Sequence, residues 1–389
     1  MAFNDDSGGI NAGTKNRLDS LTGVRFFAAL FVFFFHASLT KIIGFNPYEN
    51  KDVVDVFQAI FLPGGWLGVS FFFVLSGFVI TWSYKESDSV GSFLRRRLVK
   101  IYPNHLVTWL LALLVAGFGN GDILTPALNL LLVHAWVPDN HVFLSVNTPS
   151  WSLCSELLFY VTFPFWMQLV VRIRRGHLWG WTLAMVAGLA VYQILIACFV
   201  PSEPQLAAYP ISMKQWWIAY YLPPGRLFEF IIGMLMARIL KENMWPEISL
   251  RSTFVLLCIS YVVAGLVPFQ WRLNLVTLLP VTLFIAALAD HELKGKRLFL
   301  ASPLFVKLGE ISFGLYLVHR IVMSCGIKLM AGRLFDTLTA TMILTGAFLV
   351  SLLGAWALFT FVEAPAMKYW SRPARKRVLQ EAAAVAGGQ

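Results

Sequence analysis

The stretch "LTGVRFFAALFVFFFHASLT", residues 21–40, is an almost unbroken apolar run that contains one arginine, Arg25, and one histidine, His36. A run of about 20 apolar residues is long enough to cross the hydrocarbon core of a bilayer as a helix. It is too long for the core of a signal peptide and lacks a clear small-x-small cleavage site, so we interpret it as a retained transmembrane helix. Polar side chains are costly inside such a helix, which makes both residues candidates for function.

The rest of the 389-residue chain has the same character, with 58% apolar and only 13% charged residues. Its mean hydropathy of +0.67 excludes an ordinary soluble domain. The sequence therefore predicts an all-α integral membrane protein with about ten transmembrane helices. The ten runs of suitable length are 21–43, 65–84, 98–118, 151–171, 178–200, 216–239, 252–268, 274–290, 309–330 and 338–362.

One further apolar run, "ILTPALNLLLVHAW" at 123–136, has 14 residues and is too short to cross. We interpret it as a re-entrant or interfacial segment. In "YYLPPGRLFEF" at 220–230, two prolines and a glycine should break the sixth helix. Such breaks are tolerated in membranes where they face protein or a water-filled cavity.

The basic residues predict the orientation of the chain. Most of the 31 Lys and Arg residues lie in loops that an even number of crossings places on the side of both termini. Because basic loops face the cytoplasm, both termini are predicted to be cytoplasmic. This topology also explains the net charge of +10, and we predict no nucleic-acid partner.

The predicted organisation is a cytoplasmic tail at 1–17, a membrane domain at 18–365 and a basic cytoplasmic tail at 366–389. The last tail ends in "EAAAVAGGQ", which we expect to be disordered. The four cysteines stand singly in apolar runs with no C-x-x-C pair, so neither a disulfide framework nor a metal site is predicted.

Arg25 and His36 are 11 residues apart, close to three helical turns, so they share one helix face about 16 Å apart. The simpler alternatives are an arginine that reaches the headgroups and a histidine in a structural hydrogen bond. In "NTPSWSLCSELLFY" at 147–160, Ser152, Glu156 and Tyr160 form a second polar stripe. Glu156 should lie at the depth of His36, and a carboxylate beside an imidazole keeps it basic, so we predict that Glu156 supports His36.

Three other groups of polar residues have both a structural and a functional interpretation. The cations of "FLRRRLVKIYP" at 93–103 either anchor the topology or bind the phosphates of a cytoplasmic cofactor. Glu229 follows Arg226 by three residues and is either its ion-pair partner or a substrate contact. His319 in "GEISFGLYLVHR" is either packed or functional, and Glu363 in "FVEAPAMKYW" should cap the helix or pair with cations.

In this order, the motifs resemble the acyltransferase-3 family of bacterial integral-membrane acyltransferases. The matching pieces are "LTGVRFFAALFVFFFH", "GVSFFFVLSGFVI", "RRRLVKIYP", "PSWSLCSELLFY", "RLFEFIIGML" and "LGEISFGLYLVH", which span nearly the whole chain. The resemblance implies that Arg25 is functional, that His36 is catalytic, and that Arg97 and Lys100 help bind acyl-CoA. We expect Arg25 to bind the same donor and, together with His36, to mark the two ends of one path through the membrane. One departure is "RLVK", where the family has R-x-x-R, because lysine offers a point charge in place of a bidentate fork.

The resemblance further implies a multi-pass protein of the bacterial inner membrane that moves an acyl group, in the first place acetyl, from cytoplasmic acyl-CoA to a glycan hydroxyl. The acceptor would be an extracytoplasmic or lipid-linked polysaccharide, with membrane lipids and polysaccharide assembly proteins as further partners. We expect the polar residues of the motifs to contact this acceptor, namely Asn147, Ser152, Tyr160, Arg226, Glu229 and His319. The competing interpretations are a glycan or glycolipid transporter or flippase, and a non-catalytic subunit of an assembly complex.

Overall fold

The computed structural model describes residues 18–40, 44–117, 122–206 and 209–371. The predicted tail at 1–17 and the end of the chain from 372 onward, including "EAAAVAGGQ", lie outside the described residues. The long helices are α1 (Asp19–Ser38), α2 (Lys51–Trp82), α3 (Val90–Ala116), α6 (Trp151–Arg172), α7 (Leu178–Phe199), α9 (Leu227–Lys241), α10 (Leu250–Leu266), α12 (Leu275–Leu293), α13 (Pro303–Met330) and α14 (Thr337–Leu358). Short helices are α4 (Leu124–Leu130), α5 (Asn140–Phe143), α8 (Met213–Trp216), α11 (Phe269–Arg272) and α15 (Ala364–Trp370).

The predicted all-α membrane architecture is confirmed. Strand structure in the described ranges is limited to an antiparallel pair, Gln205–Leu206 and Tyr209–Ser212. Each of the ten predicted runs lies largely on a helix, and eight helical segments of the described chain are long and apolar enough to cross a membrane. The two others are Leu250–Leu266, with 17 residues, and the interrupted run around α9. The exact number of crossings and the side of the termini stay predictions.

The predicted break in the sixth run is confirmed. The chain passes from α8 through a π-helical turn, Trp217–Tyr221, and a 3-10 turn, Pro223–Arg226, before α9 begins at Leu227. Two consecutive prolines lack the N–H groups that a continuous α-helix needs, so the hydrogen-bond ladder restarts after them. Pro223, Gly225 and Arg226 are buried, and the broken backbone therefore faces protein.

The short run at 123–136 forms α4 and a 3-10 turn, His134–Trp136. Seven helical residues rise only about 10 Å, too little to cross a bilayer. A ring nitrogen of His105 on α3 lies 3.1 Å from the Asn129 carbonyl oxygen, and the Asn129 amide donates to the Ser150 hydroxyl at 3.1 Å. These bonds tie the segment to α3 and to the start of α6.

Glycines of the sequence motifs bring the central helices into backbone contact. A Cβ added at Gly77 on α2 would lie 1.9 Å from the Phe230 carbonyl oxygen of α9, and one at Gly233 would lie 2.0 Å from that of Val74. A Cβ at Gly309 on α13 would lie 1.8 Å from the Thr22 carbonyl oxygen of α1. Small residues permit such close approach between helices in a membrane.

The beginning of α1 is held by a carboxylate from another helix. Glu292 at the end of α12 accepts hydrogen bonds from the backbone N–H groups of Asp19 at 2.9 Å and Ser20 at 2.8 Å. It thereby satisfies two of the N–H groups that lack a partner at every helix N-terminus. This contact fixes the helix that carries Arg25 and His36.

Candidate active site

A cavity of about 300 Å³ lies between α1, α2, α3, α6 and α13. Its wall along α2 extends from Val69 to Ser83, about 21 Å at the rise of an α-helix. One end lies at Leu18, just before α1, and at Ser83, just after α2, on the face that the charge pattern assigns to the cytoplasm. The other end is bounded by Ser152 and Tyr316.

The three cations expected to bind the donor, Arg25, Arg97 and Lys100, all line this cavity. No hydrogen bond or ion pair joins the Arg25 guanidinium to another side chain in the described part of the chain. The Arg97 guanidinium lies 5.6 Å from the ring centre of Phe93 and 6.0 Å from that of Tyr160, and its buried Nε has no hydrogen-bond partner. Both arginines therefore have N–H donors available for a ligand.

Lys100 differs from the two arginines because its charge is compensated. Its ammonium group forms an ion pair with Glu363, whose side chain is only 2% exposed. Asn104 donates a second hydrogen bond to the same carboxylate at 2.7 Å. The predicted pairing of Glu363 with a cation is confirmed, and Lys100 is less free to bind phosphate than Arg97.

Glu156 lies in this cavity and not beside His36. Ser152, Glu156 and Tyr160 line the wall as one stripe, as their spacing predicted. Glu156 accepts a hydrogen bond from the Ser76 hydroxyl at 2.9 Å and also interacts with Tyr160, Arg97 and Arg25. The expected Glu156–His36 pair is wrong, because equal depth in the membrane does not make two helix faces neighbours.

The partner of His36 is His319 on α13. His36 Nδ1 lies 3.0 Å from His319 Nε2 and also 3.0 Å from the Val32 carbonyl oxygen. His319 Nδ1 lies 3.0 Å from the Leu315 carbonyl oxygen. Of the alternatives for His319, the packed interpretation with a backbone carbonyl is confirmed, and a contact with His36 comes in addition.

These distances determine where the protons are on the two neutral rings. A carbonyl oxygen only accepts, so Nδ1 of His319 carries hydrogen and its Nε2 is an acceptor. His36 Nδ1 must then be the donor, which agrees with its contact to Val32. His36 Nε2 is therefore left with its lone pair, which is the form a general base needs.

A wall of two hydroxyl groups separates the cavity from the histidine pair. The Ser152 and Tyr316 hydroxyl oxygens lie 2.8 Å apart, and both reach the Pro149 carbonyl oxygen, at 2.9 and 3.1 Å. The Tyr316 ring centre is 6.2 Å from that of His319. Since His36 does not line the cavity, the expected path from Arg25 to His36 is interrupted at Tyr316 in this conformation.

Arg226 and Glu229 do not line this cavity. Arg226 Nε lies 2.8 Å from Glu229 Oε2, and both side chains have 0% exposure. The guanidinium packs 4.6 Å from the ring centre of Tyr220 and 5.0 Å from that of Phe73. The ion-pair interpretation is confirmed. The expected contact of these two residues with substrate is wrong, because the pair is fully buried and does not reach the cavity.

Asn147 and Arg320 form part of a second, smaller cavity near the histidine pair. Asn147 donates to the Leu317 carbonyl oxygen of α13 at 3.0 Å. Arg320 directly follows His319 and was not predicted as a site residue from the sequence. It could have been found because a full charge within an apolar helix is energetically unfavourable and therefore indicates a functional residue.

A many-helix membrane protein with a cationic cavity and a histidine pair inside the helix bundle has the features of a membrane-embedded group-transfer enzyme. Residues 18–360 match the acyltransferase-3 family, described as an acyltransferase domain. The chain belongs to this family and is a membrane acyltransferase. No solved structure is significantly similar to it.

Three proteins show the similarity of this chain to known sequences. The chain is 37% identical over 370 residues to acyltransferase MdmB of Streptomyces mycarofaciens, covering 92% of this chain and 93% of that protein. It is 28% identical to nodulation protein 10 of Rhizobium leguminosarum bv. viciae, over 80% of this chain and 84% of the other. A Staphylococcus aureus (strain COL) protein that bears the name of an O-acetyltransferase is 23% identical, over 74% of this chain and 53% of its own.

Proposed function

We propose that this acyltransferase takes an acetyl group from cytoplasmic acetyl-CoA and esterifies a hydroxyl of an extracytoplasmic or lipid-linked glycan in the bacterial inner membrane. The observation that carries the proposal is the pairing of two features on α1. Arg25 faces a cationic cavity at one end of the helix, and the tautomer of His36, near the other end, leaves its Nε2 without a hydrogen. The name of the Staphylococcus aureus relative supports ester formation on oxygen.

The cavity has the charge and the shape for the donor. Three cations and one carboxylate line it, so it favours an anionic ligand. Its volume of about 300 Å³ is at the lower end of the usual range of ligand pockets, roughly 300–1,000 Å³. It suits the extended pantetheine arm of coenzyme A, with Arg97 near the entrance and the nucleotide outside.

The histidine pair supplies the proton transfer. Once the Ser152–Tyr316 contact between the cavity and the histidine pair opens, His36 Nε2 would accept the proton of the acceptor hydroxyl while that oxygen attacks the thioester carbonyl. The C–O bond forms, the C–S bond breaks, and the coenzyme thiolate takes the proton from His36. In the covalent variant, His36 Nε2 attacks the thioester first, and the C–S bond breaks to release the coenzyme thiolate. The acceptor hydroxyl then attacks the acyl group, the bond between the acyl carbon and Nε2 breaks, and the hydroxyl proton passes to the thiolate.

The reaction itself is tested with purified protein in liposomes, radiolabelled acetyl-CoA outside and glycan on either side. Labelled ester on the glycan supports the enzyme. Glycan movement without ester supports the transporter alternative, which the broken helix at Pro223 had suggested. Label on His36 after acetyl-CoA alone would select the covalent variant.

The donor site is tested by its arginines. Each charge-assisted contact contributes about 1.5–3 kcal/mol, so Arg25→Gln and Arg97→Gln should each raise the acetyl-CoA KM by roughly ten- to a hundred-fold. Arg95→Gln is the matched control, because Arg95 belongs to the same basic run but is exposed and does not line the cavity. If all three variants changed KM equally, surface charge and not the cavity would bind the donor.

A further inference from the structure

The second cavity lies where the segment before α6 meets the last third of α13. Its volume is about 30 Å³, a tenth of the 300 Å³ of the donor cavity, and is enough to admit a water molecule or a hydroxyl group. Its wall includes Asn147 and Thr148 from one side and Arg320 and Ser324 from the other. It is separate from the donor cavity, with which it shares no lining residue.

Arg320 brings unsatisfied donors to this cavity. Its Nε and Nη1 atoms are buried and have no hydrogen-bond partner, and no ion pair reaches its guanidinium from the described residues. A buried cation without a counter-charge is strongly unfavourable in a protein interior. Such a group is retained where a ligand completes its hydrogen bonds.

Asn147 brings an unsatisfied acceptor to the same cavity. Its amide nitrogen donates to the Leu317 carbonyl oxygen at 3.0 Å, so the orientation of the side chain is fixed. Its Oδ1 is buried and has no partner. The hydroxyl groups of Ser324 and Thr148 are already used, since they donate to the Arg320 and Leu144 carbonyl oxygens at 2.9 and 3.4 Å.

One chemical group satisfies both sides at once. A neutral hydroxyl accepts from the arginine through its oxygen and donates its hydrogen to Asn147 Oδ1. An anion would satisfy Arg320 but would meet the lone pairs of Oδ1.

The position of the cavity relates it to the proposed chemistry. Arg320 follows His319 directly, and neighbouring residues on a helix point about 100° apart. The hydroxyl in this cavity is therefore beside the one that His36 deprotonates and not identical with it. Asn147 donates a hydrogen bond to the Leu317 carbonyl oxygen, which belongs to the same turn of α13 as His319.

We propose that Arg320 and Asn147 form an acceptor subsite that holds a hydroxyl adjacent to the one that is acylated. The acceptor class is then a vicinal diol or a larger polyol, such as a sugar ring, and not an isolated alcohol. This inference rests on the proposed hydroxyl acylation and specifies its acceptor.

The experiment compares cis-cyclohexane-1,2-diol with cyclohexanol as acceptors, using the full-length protein in liposomes with radiolabelled acetyl-CoA. The wild type should show an acceptor KM roughly ten- to a hundred-fold lower for the diol, as expected for a hydrogen bond to a charged group. Arg320→Met, which keeps the length of the side chain without its donors, should remove this preference and leave the acetyl-CoA KM unchanged. Asn147→Leu should act in the same direction.

Ser324→Ala is the matched control, because it removes a hydroxyl from the same cavity that is already bonded to its own helix. It should retain the preference for the diol. Equal KM values for the two alcohols in the wild type would overturn the subsite while leaving the proposed function intact, and this comparison needs no variant to fold. A folded Arg320→Met protein that kept the preference would mean that the cavity holds only a structural water, which also overturns the subsite. Absence of ester on both alcohols and also on glycan in the same liposomes would count against the proposed function itself.

Discussion

Replacement of His319 by phenylalanine tests the assignment of roles within the histidine pair. Phenylalanine fills a similar volume but removes the Nε2 acceptor that lies 3.0 Å from His36 Nδ1. His36 would still donate to the Val32 carbonyl oxygen at 3.0 Å, so its ring keeps one of its two restraints. The substitution therefore weakens the control of the tautomer without removing the base.

The two roles differ in expected magnitude. One neutral hydrogen bond contributes about 0.5–1.5 kcal/mol, so His319→Phe should lower kcat by roughly two- to thirteen-fold. Loss of a general base costs about 10²- to 10⁴-fold, which is the expectation for His36→Ala. His319→Gln, whose amide oxygen can accept from His36 Nδ1, should recover part of the activity that the phenylalanine loses.

The assay is single-turnover acetyl transfer by purified protein at saturating acetyl-CoA and acceptor. Thermal unfolding of each variant shows whether a loss of rate is a loss of folded protein. A folded His319→Phe variant slowed by a hundred-fold or more would refute the positioning role and make His319 the base. A His36→Ala variant that retained more than about a tenth of the wild-type rate would refute the role of His36 as the general base.

Three further experiments examine packing, charge compensation and topology. Gly77→Ala should destabilise the fold by at least about 1–3 kcal/mol, because the new Cβ would lie 1.9 Å from a carbonyl oxygen of α9. Lys100→Met should cost about 3–5 kcal/mol by leaving Glu363 buried without its cation, and adding Glu363→Gln should restore most of the loss. A cysteine at Ser202 in a cysteine-free background should react with an impermeant maleimide from outside intact cells, and one at Ser87 should not.

Each of these results has a stated control or contrary outcome. Gly91→Ala has no atom within 4 Å of its new Cβ and should leave the unfolding midpoint unchanged. An equal loss in the single Lys100 variant and the double variant would show that the ion pair itself contributes little. Labelling at Ser87 and protection at Ser202 would invert the predicted orientation.

Several features of this protein followed from the sequence because they depend on local chemistry. The length and apolarity of the runs predicted membrane helices, since the bilayer sets the length. The break before α9 was predictable because proline lacks an N–H group wherever it lies. The Arg226–Glu229 pair was foreseen because residues three apart on a helix are neighbours.

The partners of the site residues depended on which helices are in contact, and only the tertiary structure decided this. Periodicity gives the face and the depth of a side chain but not the helix that it meets. His36 and His319 are 283 residues apart in the sequence, and Glu156 accepts its hydrogen bond from Ser76, which is 80 residues away. Gly309 lets α13 approach the backbone of α1 at Thr22. The packing of these two helices against each other, and not the spacing of polar residues along the chain, places His36 next to His319.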